Sequence, residues 1–199
     1  MNAAIAGFLL GGGLIVAIGA QNAYILRMGL MRAHVGVLCF VCALSDAMLI
    51  TLGVAGVGTF VASNEALLTI IRYAGAAFLI GYAIMALRRA LQAEAMDVSK
   101  APAPPLAQAL ATVLALTFLN PHVYLDTFLL VGGLSARYPT DERWLFGAGA
   151  VAASFAWFFS LGYGARWLTP IFARPAAWRW LDLGIAAIMA WLAFGLLAA

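Results

Sequence analysis

Apolar residues gather in six long stretches of this chain, at about 3–26, 35–60, 66–88, 107–133, 143–166 and 176–198, with charge, Pro and Gly between them. Each is at least as long as the ~20 residues that a helix needs to cross bilayer hydrocarbon. Strict alternation of apolar and polar positions is absent, and an open strand edge finds no partner in lipid. All six stretches therefore predict helices. The first opens on Met1-Asn2-Ala3-Ala4, without the basic residues that begin a secretory signal, and it runs too long for one. It reads as a retained span. The longest connection, 89–106, ends in Ala-Pro-Ala-Pro-Pro (101–105) and divides the chain into about 1–88 and about 107–199. The pattern predicts one all-α integral membrane domain over 1–199, with six transmembrane helices as two inverted three-helix repeats.

Composition agrees and excludes most other classes. Of 199 residues, 65% are hydrophobic and 10% charged, against about 25% charged in a soluble domain. A water-facing surface cannot be built from so few charges. Two cysteines inside one apolar stretch make no disulfide framework. A net charge of +3 is too small to point to nucleic acid. The placement of charge says more. Arg27, Arg32, Arg88, Arg89, Lys100, Arg166, Arg174 and Arg179, eight of the eleven basic residues, fall at connections one, three and five. The positive-inside rule puts those connections in the cytoplasm and both termini outside it. A five-span topology, with one weak helix not crossing, is the alternative.

A faint repeat supports two halves. Gly75-Ala76-Ala77, with Tyr82 and Ala86, precedes Gly184-Ile185-Ala186, Trp191 and Gly195 by 109 residues. Gly19-Ala20-Gln21-Asn22 and Asn120-Pro121-His122 mark the first spans of the two halves. Three spans per half forces opposite orientations, a plan that many secondary transporters use.

Polar groups inside spans are expensive and default to function. Asp46 is the best centred, and Cys39, Cys42, Asp46 and Gly53 share a helical face. A carboxylate there can receive a cation, carry a proton or pair with a buried Arg. The fourth stretch holds Thr117, Asn120, Pro121, His122, Tyr124, Asp126 and Thr127. In a straight helix Asn120, Tyr124 and Thr127 would face away from His122 and Asp126, so one cavity can see both sets only if the helix breaks. Pro121 makes a break the expectation. Gln21 and Asn22 carry both donors and acceptors, which suits a zwitterion, or glues helices together. Gly11-Gly12-Gly13 predicts close helix packing, and Ser45, Ser154 and Ser160 predict packed or backbone-bonded hydroxyls. Asp182 predicts an ion pair with Arg179 one turn away. Cys39-x-x-Cys42 with His122 is too sparse for a metal site. No phosphate loop, HExxH or Ser-His-Asp spacing gives hydrolytic chemistry a foothold.

Gly19-Ala-Gln-Asn-Ala-Tyr-Ile-Leu, Cys42-Ala-Leu-Ser-Asp46, Thr117-Phe-Leu-Asn-Pro-His-Val-Tyr-Leu-Asp-Thr-Phe128 and Ser154-Phe-Ala-Trp-Phe-Phe159 together resemble the LysE family of bacterial amino-acid exporters. The similarity is greatest to its lysine/arginine branch and covers essentially the whole chain. Relatives that export neutral amino acids more often carry Gly-Pro-x-Asn in span one and Asn-Pro-Lys in span four. Here Ala20 stands where many members have Pro. The resemblance implies a carrier in the bacterial inner membrane that exports lysine or arginine, coupled to protons or potential, with no cofactor. A homo-oligomer is left open. The expected substrate site comprises Asp46, Gln21, Asn22, Asn120, Pro121, His122, Tyr124 and Asp126. Asp46, with Asp126, would attract the cationic side chain. The amides and the opened backbone at Pro121 would hold the α-groups, and Asp46 or His122 would carry a proton. The rivals are export of a neutral amino acid or a divalent metal cation on the same fold, and, further off, a membrane-embedded enzyme or a structural subunit.

Overall fold

The computed structural model describes residues 2–16, 19–56, 65–92 and 103–198; at 65–68, 71, 72, 92, 121, 122, 125, 129, 173 and 175 it describes the backbone alone. The described residues form helices joined by turns: α1 (Ala3–Val16), α2 (Ala20–Leu30), α3 (Val35–Val54), α4 (Glu65–Gln92), α5 (Leu106–Phe118), α6, α7 (Thr140–Gly164) and α8 (Pro175–Ala198). The segment called α6 begins as Pro121–Tyr124, widens into π-helical turns over Leu125–Gly132, and closes with Gly133–Ser135. Proline sets several starts. Pro121 and Pro175 occupy first helical positions, and Pro105 and Pro139 cap α5 and α7, where a missing N–H costs nothing. The break expected at Pro121 takes the form of a full stop after Phe118 and a new helix from Pro121.

Among the described residues, α3, α4, α7 and α8 each contain a stretch long and apolar enough to cross a membrane. The pair α1 and α2, bent by 79°, makes a fifth candidate if taken as one span. The fourth predicted stretch, 107–133, is divided between α5 and α6. Two boundaries move outward from their expected places. The first stretch continues to Leu30 and the third to Gln92, because Arg27 and Arg89 lie inside helices and not in loops.

The described helices turn large apolar side chains outward. Val37, Phe40, Leu44, Met48 and Leu52 form an exposed stripe on α3, while Leu38, Cys39, Cys42, Asp46 and Leu49 are buried on its other side. An exposed apolar stripe of this length suits lipid and not water. The main core joins α2, α3, α4, α5, α7 and α8 through Tyr24, Ile25, Met28, Leu38, Val113, Phe158 and Met189. Within it the Cys39 thiol donates to the Phe158 carbonyl at 3.1 Å.

Two seams rest on glycine. α1 runs along α7 so closely that a Cβ on Gly7 would strike the Phe146 carbonyl, and one on Gly149 the Ala4 carbonyl. α3 crosses α6 in the same manner, Gly53 against the Thr127 carbonyl and Gly132 against that of Gly53. Without hydrophobic drive between helices in lipid, such close backbone approach supplies the contact. Of the Gly11-Gly12-Gly13 run, Gly11 takes part, against Ala150, while a Cβ on Gly13 would meet nothing within 4 Å. α4 and α8 make a further closely packed pair. The far ends of the helices gather on one face: Leu30, Ala165 and Trp178 pack together, and His34 Nε2 lies 3.1 Å from the Pro104 carbonyl.

Gly149→Ala should lower the melting temperature of the purified protein, by about 1–3 kcal/mol of stability, since backbone and not a flexible side chain stands in the way. Gly13→Ala should leave it unchanged or raise it. Equal melting temperatures for the two variants would contradict the seam.

Candidate functional site

Both broken segments open onto one space. At the first break α1 stops at Val16 and α2 starts at Ala20, which releases the Ile15 carbonyl from its helical partner. The Asn22 amide takes it up, Nδ2 donating to Ile15 O at 2.7 Å, while its Oδ1 accepts from Trp157 Nε1 at 3.1 Å. At the second break α5 stops at Phe118, and the Tyr124 hydroxyl donates to the Phe118 carbonyl at 2.8 Å. In each case a residue early in the second helix satisfies a carbonyl late in the first. Gly75 of α4 is pressed against the Leu119 carbonyl at the second break, with no room for a side chain.

Between the breaks lies a cavity of about 340 Å³. Gly19, Gln21, Asn22, Asp46, Asn120, Asp126 and Thr127 supply its polar wall; Leu14, Ile15, Ile50, Val123, Val131, Trp191 and Leu192 supply apolar surface. A few polar groups converging in an apolar concavity is the usual character of a small-ligand site. Asp126 and Asn120 share the wall, although a straight helix would turn them apart. The stop at Asn120 and the wide π-turns that follow bring them round, and π-turns concentrate at functional sites.

Asp46 is 6% exposed, and its Oδ2 accepts a hydrogen bond of 2.7 Å from the buried Ser154 hydroxyl on α7. Among the described residues no Arg or Lys makes an ion pair with it. Gln21 Nε2 is buried without a hydrogen-bond partner among the described residues. The wall therefore offers a carboxylate with no cationic partner and an amide donor with no acceptor. Both ask for a ligand, because buried polar groups that lack partners are costly.

Of the expected site residues, Gln21, Asn22, Asp46, Asn120 and Asp126 meet at this cavity. Tyr124 spans the second break instead of lining the space. The side chains of Pro121 and His122 lie outside the described residues. Three further participants were not expected. Ser154, expected to be a packed or backbone-bonded hydroxyl, bonds the carboxylate; Trp157 holds Asn22; Trp191 lines the cavity. Ser45 does bond its own helix, at the Val41 carbonyl, 2.8 Å away. Asp182 is correctly an ion-pair residue, but it takes Arg27 and Arg89, from two other helices, where the sequence pointed to Arg179.

A chain of apolar helices, broken twice at one buried polar cavity, belongs to the class of membrane translocators, and comparison with known proteins places it more narrowly. Residues 13–199 match the family model described as LysE type translocator. The chain is 36% identical to the lysine exporter LysE of Corynebacterium efficiens, over 99% of each protein. It is 46% identical to a Mycobacterium tuberculosis protein provisionally named an amino-acid transporter, over 88% of this chain and 87% of that one. No solved structure matches it. The chain belongs to the LysE family; it is a transporter and not an enzyme.

Tyr124→Phe leaves the Phe118 carbonyl without its donor and should cost about 1–3 kcal/mol locally. Hydrogen exchange by mass spectrometry should show faster exchange at 119–124 with the rest of the chain unchanged. Unaltered exchange there would mean that the hydroxyl does not support the break.

Proposed function

We propose that this protein exports basic L-amino acids, lysine or arginine, from the bacterial cytoplasm as a secondary carrier. The observation that carries the reading is Asp46: a buried carboxylate on the cavity wall, bonded by one hydroxyl and paired with no described cation. A lysine ammonium or arginine guanidinium supplies the missing charge. Asp126 adds a second acidic group to the same wall. Gln21 and Asn120, with the backbone opened at the two breaks, hold the α-carboxylate and α-ammonium. His122 is the further proton-carrying candidate, its ordinary titration lying near neutral pH. The name of the Corynebacterium efficiens relative supports the substrate class.

Transport follows from the seams. The two halves, about 1–88 and 107–199, are read as inverted repeats, each opening with a broken helix. The braces Asn22 to Ile15 and Tyr124 to Phe118 correspond, as do the glycine crossings of α1 on α7 and α6 on α3. Rocking of one half on the other exposes the cavity to each side in turn. With connections one, three and five in the cytoplasm, a substrate of charge +1 leaves against an inside-negative potential. That costs about 2.3 kcal/mol per 100 mV. One proton returning for each amino acid removes the charge movement, so exchange with protons is the coupling this site favours.

Proteoliposomes loaded with radiolabelled lysine, arginine, threonine or manganese test the assignment. Lysine or arginine should leave faster than from protein-free liposomes, and threonine and manganese should not. Asp46→Asn should abolish efflux while the protein still inserts. Efflux of manganese or threonine alone would transfer the carrier to another substrate, and full activity of Asp46→Asn would remove the carboxylate from the site.

A further inference from the structure

The buried ion cluster of Arg27, Asp182 and Arg89 lies apart from the cavity. Arg27 stands on α2, nearly two turns beyond Gln21; Asp182 stands early in α8 and Arg89 late in α4. Both guanidiniums use the same oxygen. Arg27 Nη1 lies 2.5 Å and Arg89 Nε 3.2 Å from Asp182 Oδ1. Arg27 and Asp182 are buried, but the Arg89 side chain is 28% exposed. Trp178 covers Arg27 at 5.6 Å, and Arg89 lies 5.5 Å over the Tyr82 ring. Tyr82 meets Tyr24 edge-on at 6.0 Å. The aromatic pair thus packs beside the cluster, with Tyr24 on α2 between the cavity residue Gln21 and Arg27.

Two guanidiniums facing one carboxylate leave an excess positive charge, with Arg27 and Asp182 buried and Arg89 at the partly exposed edge. The deficit is visible at one atom: Arg89 Nη2 is buried and has no hydrogen-bond partner among the described residues. A guanidinium presents a planar fork matched to carboxylate geometry, and here half of the fork is idle. Among the described residues the cluster has no second carboxylate. The longer, more exposed Arg89 contact is the one that can be surrendered, while Arg27 and Asp182 stay joined.

We propose that Arg89 is a docking site for the α-carboxylate of the substrate on its way from the cytoplasm to the cavity. The inference rests on the export of basic amino acids and on the orientation set by the basic residues, both argued above. In this arrangement the arriving carboxylate takes the free edge of Arg89 and loosens its hold on Asp182. The link from α4 to α8 and α2 then slackens beside the Tyr24–Tyr82 pair. The site adds, on the cytoplasmic approach, to the cavity's own selection of amino acids over the amines that result from their decarboxylation.

The test uses full-length protein in proteoliposomes, with the Arg89 face towards the lumen and initial lysine efflux as readout. Lysine and 1,5-diaminopentane, the same molecule without its carboxylate, serve as unlabelled competitors inside. Wild type should be inhibited by lysine at concentrations more than tenfold below those needed for the diamine. In Arg89→Gln the apparent KM for lysine should rise about tenfold, inhibition by the diamine should be unchanged, and the preference should fall by the same factor to what the cavity alone supplies. Arg89→Lys keeps the charge but not the fork; it should fall between, which secures the answer if the Gln variant fails to insert. A wild-type carrier that moves no lysine overturns the substrate assignment itself. A wild type that moves lysine, with the carboxylate preference intact in both variants or with both ligands weakened equally, overturns the docking site alone.

Discussion

Hydrocarbon offers no hydrogen bonds, so a helix can break inside a membrane only where side chains take over the backbone groups that the break releases. Everything at the centre of this protein depends on that exchange. Asn22 takes over the Ile15 carbonyl and Tyr124 that of Phe118, and with those two bonds α1–α2 and α5–α6 can turn away from straight paths. Straight helices would put Asn120 and Asp126 on different faces and would leave no space between Gly19 and Asn120. The cavity is a consequence of the two breaks.

Packing then decides what the cavity can do. Glycine seams bring backbone against backbone, α1 on α7 and α3 on α6, and so fix the helices that carry the polar wall. The same crossing sets Ser154 against Asp46, the one bond that ties the central carboxylate to α7. On the proposed function, a substrate cation would compete with that hydroxyl for the same group. Binding charge and loosening a contact between helices would then be one event, as the proposed alternating access requires. At the other end, Asp182 satisfies two guanidiniums imperfectly, so that region too has a bond to give up.

Much of this was legible because it breaks the apolar pattern. Asp46, Gln21, Asn22 and the Asn120–Asp126 cluster stand out against Leu and Ala, and the structure brings most of them to one wall. Pairings between helices were not legible. On α3 the lipid-facing Phe40, Leu44 and Met48 are as apolar as the buried Leu38 and Leu49, so periodicity cannot say which face meets α7. Ser154 was consequently read as a local hydroxyl. Arg27 and Arg89 look like loop markers for a related reason. A basic residue near the end of an apolar run usually marks water, and only the distant Asp182 shows that these two belong inside. That error also shortened the first and third predicted spans.

The central claim is that the Asp46 carboxylate reads the cationic end of the substrate. Lysine and norleucine share a backbone and chain length and differ in the terminal ammonium, so their binding to purified protein isolates that contact. Equilibrium binding should favour lysine by about tenfold or more, the equivalent of about 1.4 kcal/mol, and Asp46→Asn should bring the two affinities together by weakening lysine alone. A preference for lysine that survives Asp46→Asn unchanged would contradict the account.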